Sequence, residues 1–209
     1  MARVLVSTYG FEESRVFGAL RWLPYDRLVL VAGGRSLRER GFRRIQEAER
    51  AAGGRVEVVR VDPFDLVSCF RGTLEAIERY RRAGDEVRVN VSGGTKVLAD
   101  GALLAAFQAG VEAWHCEDKA MRLPVLRGVR FEDRLTPTQQ AVLRSLRKPV
   151  RASKLVDRLR AHGHSEAAVQ AAILSLRDQG LVSVAIQAGA AVVSLDPRGE
   201  WFARSLVKL

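Results

Sequence analysis

Five short runs rich in valine and leucine, most of them followed by a stretch of helical periodicity, limit this chain to a small set of architectures. The strand-like runs fall near residues 4–6, 28–31, 56–61, 87–91 and 111–116, and the helix-like stretches near 13–22, 37–51, 66–82 and 97–109. Strands that are apolar along most of their length are buried on both faces, and a helix between two such strands returns the chain in the same direction by a right-handed crossover. The pattern predicts an α/β fold, a Rossmann-like parallel sheet with helices on both faces and strand order 3-2-1-4-5.

In that order the first and fourth strands lie side by side where the winding reverses, and ligands bind beyond their C-terminal ends. The turn after the first strand is Ser7-Thr8-Tyr9-Gly10-Phe11 and the turn after the fourth is Ser92-Gly93-Gly94-Thr95-Lys96. Both offer hydroxyls, small residues and the unpaired amides of a helix start, and Lys96 adds a positive charge, a combination that suits phosphate. The alternative reading of Ser92 to Lys96 is an ordinary strand-to-helix turn. The order of its residues excludes a nucleotide-hydrolysing P-loop, because Thr95 precedes Lys96 and no glycine stands five residues before Gly94. Thr8 to Glu13 holds one glycine only, so the dinucleotide fingerprint is missing as well. Gly33-Gly34-Arg35, after the second strand, either adds amides and a guanidinium to the crevice or only shapes a turn.

Residues 97–109 are apolar or small nearly all round, which indicates a buried helix, inside one subunit or at a subunit interface; Asp100 is its polar exception. A new pattern begins at Thr136. Thr136, Pro137 and Gln139 form a helix-start signal, Pro149 ends that helix, a second follows around 152–161, and a third runs from Ser165 to Gln179. Residues 181–186 and 190–195, around Gln187-Ala188-Gly189, read as a β-hairpin, and residues near 200–207 as a tail helix. Three short helices and a hairpin predict a small winged helix-turn-helix domain over 135–209, after a Rossmann-like domain over 1–134.

The chain carries a formal charge of +10. Residues 136–209 hold 11 Lys/Arg against 5 Asp/Glu and the first 135 hold 23 against 19, so the second domain is the more basic. Arg151, Lys154 and Arg158 recur at spacings of three and four and share one helix face, which either holds a phosphate backbone or is simply solvated. On the third helix, where a DNA-reading module places its base contacts, Gln170 is the one residue suited to an adenine edge. Double-stranded DNA is the expected partner, with protein docking as the competing role.

No run of about 18 apolar residues suits a bilayer, and the first residues enter a strand without a signal-peptide pattern, so a cytoplasmic protein without a membrane partner is expected. Cys69 and Cys116 lack motif spacing and are expected to pack as small hydrophobes. His115, His162 and His164 lack ligand-type neighbours, so neither a metal nor a cofactor is expected.

The whole chain resembles the CRISPR-associated Rossmann-fold (CARF) family, in its subgroup of regulators with a C-terminal winged helix-turn-helix. The resemblance rests on Val6-Ser7-Thr8-Tyr9-Gly10-Phe11, on Asp62-Pro63-Phe64-Asp65 and above all on Asn90-Val91-Ser92-Gly93-Gly94-Thr95-Lys96. It implies a homodimer that binds cyclic oligoadenylate, with cyclic tetra-adenylate the first expectation, across the two-fold axis and so regulates transcription in a type III CRISPR system. By match of motif, Ser7, Thr8, Gly10 and Phe11 line one side of the pocket and Gly93, Gly94, Thr95 and Lys96 the other; Tyr9, Gly33, Asn90 and Ser92 are expected to contact the ligand with them. Glu12 and Glu13 depart from the pattern, since carboxylates there compete with phosphate for helix-start amides. Some members cleave the ligand without metal. In that alternative, a slow ring nuclease whose winged helix serves assembly, Lys96 with Ser7 or Thr8 stabilises the developing charge.

Overall fold

A computed structural model describes residues 1–125 and 134–205, and the chain divides into two units, Met1–Arg130 and Phe131–Leu209. In the first unit the strands are β1 (Arg3–Tyr9), β2 (Arg27–Ala32), β3 (Val56–Arg60), β4 (Glu86–Asn90), β5 (Glu112–Cys116) and β6 (Ala120–Arg122). The helices are α1 (Ser14–Trp22), α2 (Arg40–Ala51), α3 (Leu66–Arg82) and α4 (Lys96–Ala109). The sheet order is β3-β2-β1-β4-β5-β6, parallel through β5, with β6 added antiparallel. This is the Rossmann-like order expected from the sequence, plus one short edge strand.

The strands alternate between two buried faces because each face meets helices. Leu5, Leu28 and Leu30 pack with Val16 and Ala19 of α1 and Ile45 of α2 in one core. Val4, Val6, Val29 and Val31, of opposite parity, are equally buried, and α3 and α4 pack on the sheet from their side. The small residues of α4 serve contact within the subunit: a Cβ on Gly101 would lie 2.6 Å from the Cβ of Cys69 on α3. Asp100 is exposed, and α4 stops at Gly110 in the left-handed conformation, φ 65°. The helix expected over 37–51 is divided, because Glu39 is extended between a 3₁₀ turn at Ser36–Arg38 and α2.

The second unit contains α5 (Pro137–Ser145), β7 (Val150–Arg151), α6 (Ala152–Arg160), α7 (Glu166–Asp178), β8 (Val182–Gln187), β9 (Ala190–Leu195) and α8 (Pro197–Ser205). Thr136 and Gln139 form the reciprocal capping box at the start of α5, and the Ser165 hydroxyl caps α7 by accepting from Ala168 N–H. β8 and β9 pair antiparallel around Ala188 and Gly189, both at positive φ, as a tight hairpin turn requires. β7 joins the other side of β9, and Val142, Leu155, Val169, Leu176 and Val193 form a separate core. The tail helix begins earlier than expected because Pro197 and the Asp196 carboxylate, which accepts from Arg198 N–H, start it. The sequence suggests a short strand or hairpin over 121–131 and a charged junction at Glu132-Asp133-Arg134; of these, residues 126–133 lie outside the described residues, as do residues 206–207 of the expected tail helix. Among those described, no helix is long and apolar enough to cross a membrane, and no cluster of His, Cys, Asp and Glu is arranged to hold a metal.

Candidate ligand crevice

The crevice is set by adjacency of β1 and β4, whose register places Ser7 opposite Asn90. The Thr8 hydroxyl donates to the Asn90 carbonyl at 3.3 Å and accepts from Gly93 N–H at 3.1 Å. Asn90 Nδ2 donates to Ser7 Oγ at 2.8 Å and to the Arg15 carbonyl at 3.3 Å. Its Oδ1 accepts from Ser92 N–H and from the Ser92 hydroxyl, at 3.2 and 2.5 Å. Ser92 Oγ in turn accepts from Cys116 N–H at 2.5 Å, so the ends of β1, β4 and β5 are tied by one buried polar network.

The glycines let the two loops meet backbone to backbone. A Cβ on Gly10 would stand 2.6 Å from Gly94 Cα, and one on Gly93 would stand 2.5 Å from the Thr8 carbonyl oxygen. Gly94 has φ 86°, a conformation that L side chains rarely adopt. Thr95 caps α4 by accepting from Leu98 N–H at 3.0 Å, and its hydroxyl donates to the Pro63 carbonyl at 2.5 Å, drawing in the loop after β3. The first-turn amides of Lys96 and Val97 precede any intrahelical acceptor, leaving a partial positive charge at the mouth of α4.

Above these loops lies a cavity of about 460 Å³, within the range of small-molecule sites. Its wall draws on the loops after β1, β2, β3 and β4: Tyr9 to Glu12, Gly33 to Ser36, Pro63 and Phe64, and Ser92 to Thr95, with Arg15 and Leu98 behind. Gly33 and Arg35 are therefore part of the wall, and Gly33 also permits close packing, since a Cβ there would be 2.7 Å from Pro63 Cγ. Of the residues expected at the site, Tyr9, Gly10, Phe11, Gly33, Ser92, Gly93, Gly94 and Thr95 line the cavity. Ser7, Thr8 and Asn90 do not. They are fully buried beneath it, their polar atoms engaged by one another and by the loops. Lys96 is exposed at the first position of α4 and stands outside the cavity wall.

Arg15, Ser36, Pro63, Phe64 and Leu98 were not assigned to the site from sequence. Asp62-Pro63-Phe64-Asp65 was the available signal for two of them, whereas Arg15 is the second residue of α1, with nothing local to mark it. The carboxylates of the first loop have partners of their own. Glu12 pairs with Arg15 at 3.1 Å, and Arg15 pairs with Glu117 too. Glu13 pairs with Arg44 at 2.7 Å; its own amide, then Arg44, hold its carboxyl below the usual range. Tyr9 is buried with a hydroxyl that no described residue satisfies, and burial, then the charges of Glu13 and Glu39, push its pKa up. Across the rim, the Arg35 guanidinium sits over the exposed Phe11 ring, 5.7 Å from its centre.

Residues 3–120 match the model of the family described as HFX_2341_N:-like, N-terminal. The chain belongs to that family. No curated protein sequence matches it. Among solved structures, protein VC1899 from Vibrio cholerae is similar at 12% identity and TM-score 0.50, covering 97% of this chain and 64% of that one. Can2 from Sulfobacillus thermosulfidooxidans, in complex with cyclic tetra-adenylate, is similar at 18% identity and TM-score 0.50, over 66% of this chain and 39% of Can2. A type III CRISPR defence DNA nuclease activated by cyclic oligoadenylate is similar at 19% identity and TM-score 0.50, over 85% of this chain and 30% of that one. The chain thus spans less than two thirds of the length of each of these structures, and at such identities the likeness is one of fold.

The HFX_2341_N-like region holds the crevice, and the second unit lies beyond it. There Arg151, Lys154 and Arg158 are exposed, with Arg158 also donating to the Ser145 carbonyl at 3.3 Å. Arg144, Arg147 and Lys148 are exposed in the preceding segment, an extension of the cationic stretch not assigned from sequence. Gln170 is exposed on α7, but its amide donates to Glu166 at 3.1 Å. The outer face of α7 adds Ala167, Ala171 and a half-exposed Leu174, Arg177 pairs with Asp178, and residues 182–195 of the hairpin carry no charge.

Proposed function

We propose that this chain is a CARF-type sensor of cyclic oligoadenylate, acting as a homodimer whose winged helix-turn-helix units, over 135–209, bind DNA in a type III CRISPR setting. The observation that carries the reading is the convergence of the β1 and β4 loops, through Gly10, Gly93 and Gly94, beneath an open cavity beside the mouth of α4. Such a site offers fixed amides to anionic oxygens at small reorganisation cost. The fold shared with Can2, which was solved with cyclic tetra-adenylate, supports this ligand class.

In this reading Tyr9, Gly10, Phe11, Gly33 and Ser92 to Thr95 contact the ligand, and Lys96 supplies charge from the rim. Ser7, Thr8 and Asn90 act as positioning residues, because their side chains are engaged below the cavity. That engagement favours sensing over ring cleavage, in which Ser7 or Thr8 would assist Lys96. A dimer contact is assigned to the outer stripe of α4, where Leu103, Leu104 and Phe107 are partly exposed on the face that carries Asp100. DNA phosphates are assigned to Arg151, Lys154 and Arg158, with Gln170 in a minor role.

The test is to add cyclic tetra-adenylate to the full chain in EDTA, measuring the melting temperature, the affinity for a fluorescent DNA duplex and the appearance of linear adenylate. The reading expects a raised melting temperature and altered DNA affinity with the ring intact. Rapid linearisation would support the nuclease, and the absence of any thermal shift would remove the ligand assignment.

A further inference from the structure

Phosphate recognition accounts for glycines, amides and cations in the crevice; it does not account for two phenylalanines held out in solvent. Phe11 and Phe64 are 59% and 78% exposed, and they are the two exposed phenylalanines among the described residues. Both line the same cavity, from different loops. Isolated exposed apolar residues are common on protein surfaces, but two large rings at the mouth of one cavity are an apolar surface with a location.

Neither ring is placed there by a slack chain. Phe64 N–H donates to Asp62 Oδ1 at 3.0 Å and Asp65 N–H donates to the Asp62 carbonyl at 3.2 Å, closing a turn that points residue 64 outward. Asp65 caps α3 by accepting from Val67 N–H, and the preceding Pro63 is pinned by Thr95 and packed on Gly33. Phe11 follows Gly10, whose backbone rests on Gly94, and Arg35 lies over its ring. The turn chemistry that fixes the phosphate-type loops therefore also fixes the two rings.

We propose that Phe11, backed by Arg35, and Phe64 form an aromatic platform that stacks the base rings of a nucleotide ligand, so that the crevice selects bases and not phosphates alone. This rests on the reading of the crevice as a nucleotide site and assigns its specificity to three residues. A flat π face favours the larger purine ring, and stacking of this kind amounts to roughly a tenfold or greater gain per base.

The test compares adenosine 5′-monophosphate with ribose 5-phosphate, two probes that differ by the base, by ligand-observed NMR and calorimetry on the full chain, with cyclic tetra-adenylate as a third ligand. The wild type is expected to prefer adenosine 5′-monophosphate by at least about tenfold. Phe11→Leu with Phe64→Leu is expected to abolish that preference, and Phe64→Trp to preserve it. Both rings are exposed, so an unchanged melting temperature checks that the fold is intact. Equal affinity of the wild type for the two monophosphates, retention of the preference in the double Leu variant, or no binding of either would overturn the platform. A base preference lost in the double Leu variant, without binding of cyclic tetra-adenylate, would keep the platform and discard the cyclic ligand.

Discussion

The crevice of the first unit and the cationic stretch of the second both suit phosphate, but they are built on opposite physical principles. In the first, the determining atoms belong to the backbone and to buried hydroxyls, locked by Thr8, Asn90, Ser92 and Thr95 and by glycines whose added Cβ would collide. In the second, Arg151, Lys154 and Arg158 stand exposed on long side chains, and the uncharged hairpin beside them adds nothing to the charge. The first encodes a shape and the second a charge density. A shape fails by fractions of an ångström, whereas a charge density fails by salt.

The largest effect should come from violating the shape. Gly93→Ala drives a methyl group toward the Thr8 carbonyl, 2.5 Å from the built Cβ, so the loops must separate. A loss of about 3 kcal/mol, with a melting temperature lower by roughly 10 °C, is expected in thermal denaturation. Gly34→Ala, where a Cβ meets nothing within 4 Å, should leave the melting temperature unchanged. Equal tolerance of both substitutions would break the contrast.

Next is the charge-based surface. Arg151→Ala with Lys154→Ala should weaken DNA binding on every sequence alike and reduce the slope of log affinity against log salt by about 2, read by fluorescence anisotropy. A sequence-selective loss with an unchanged slope would show that the second unit too reads shape. A smaller effect, about 1–2 kcal/mol by chemical denaturation, is expected for Thr95→Val, which removes the α4 cap and the bond to Pro63 while leaving the glycines in place. The smallest concerns the thiols. Burial pushes Cys69 and Cys116 up to about 11, so at pH 8 nearly all of each remains the unreactive thiol. Native protein should resist a thiol-reactive dye that labels both sites after unfolding, and fast labelling of Cys69 would mean that α3 and α4 open.

Much of the fold was legible because its signals are local. Valine-rich runs, the Thr136–Gln139 capping box and the Ala188-Gly189 turn each act within a few residues. Strand order followed from the rule for alternating β and α elements, and so did the meeting of the first and fourth loops. The orientation of particular side chains was not legible. Ser7, Thr8 and Asn90 look like pocket hydroxyls and an amide in one dimension, but strand register turns them toward each other, under the floor. Lys96 reads as a crevice cation, yet its place at the first helical position leaves it on the outer surface. Phe64 and Arg15 reach the wall through contacts between loops 30 or more residues apart in sequence, such as Thr95 with Pro63 (|i−j| = 32), which no periodicity reports.

The central claim is that the converging loops after β1 and β4 are where the ligand sits, and amide chemical-shift mapping by NMR tests it most directly. On addition of cyclic tetra-adenylate to the 209-residue chain, the largest shifts should fall on Gly10, Phe11, Gly93, Gly94, Thr95 and Lys96. Shifts that leave those amides in place and gather on α6 and α7, or a spectrum that does not change at all, would contradict it.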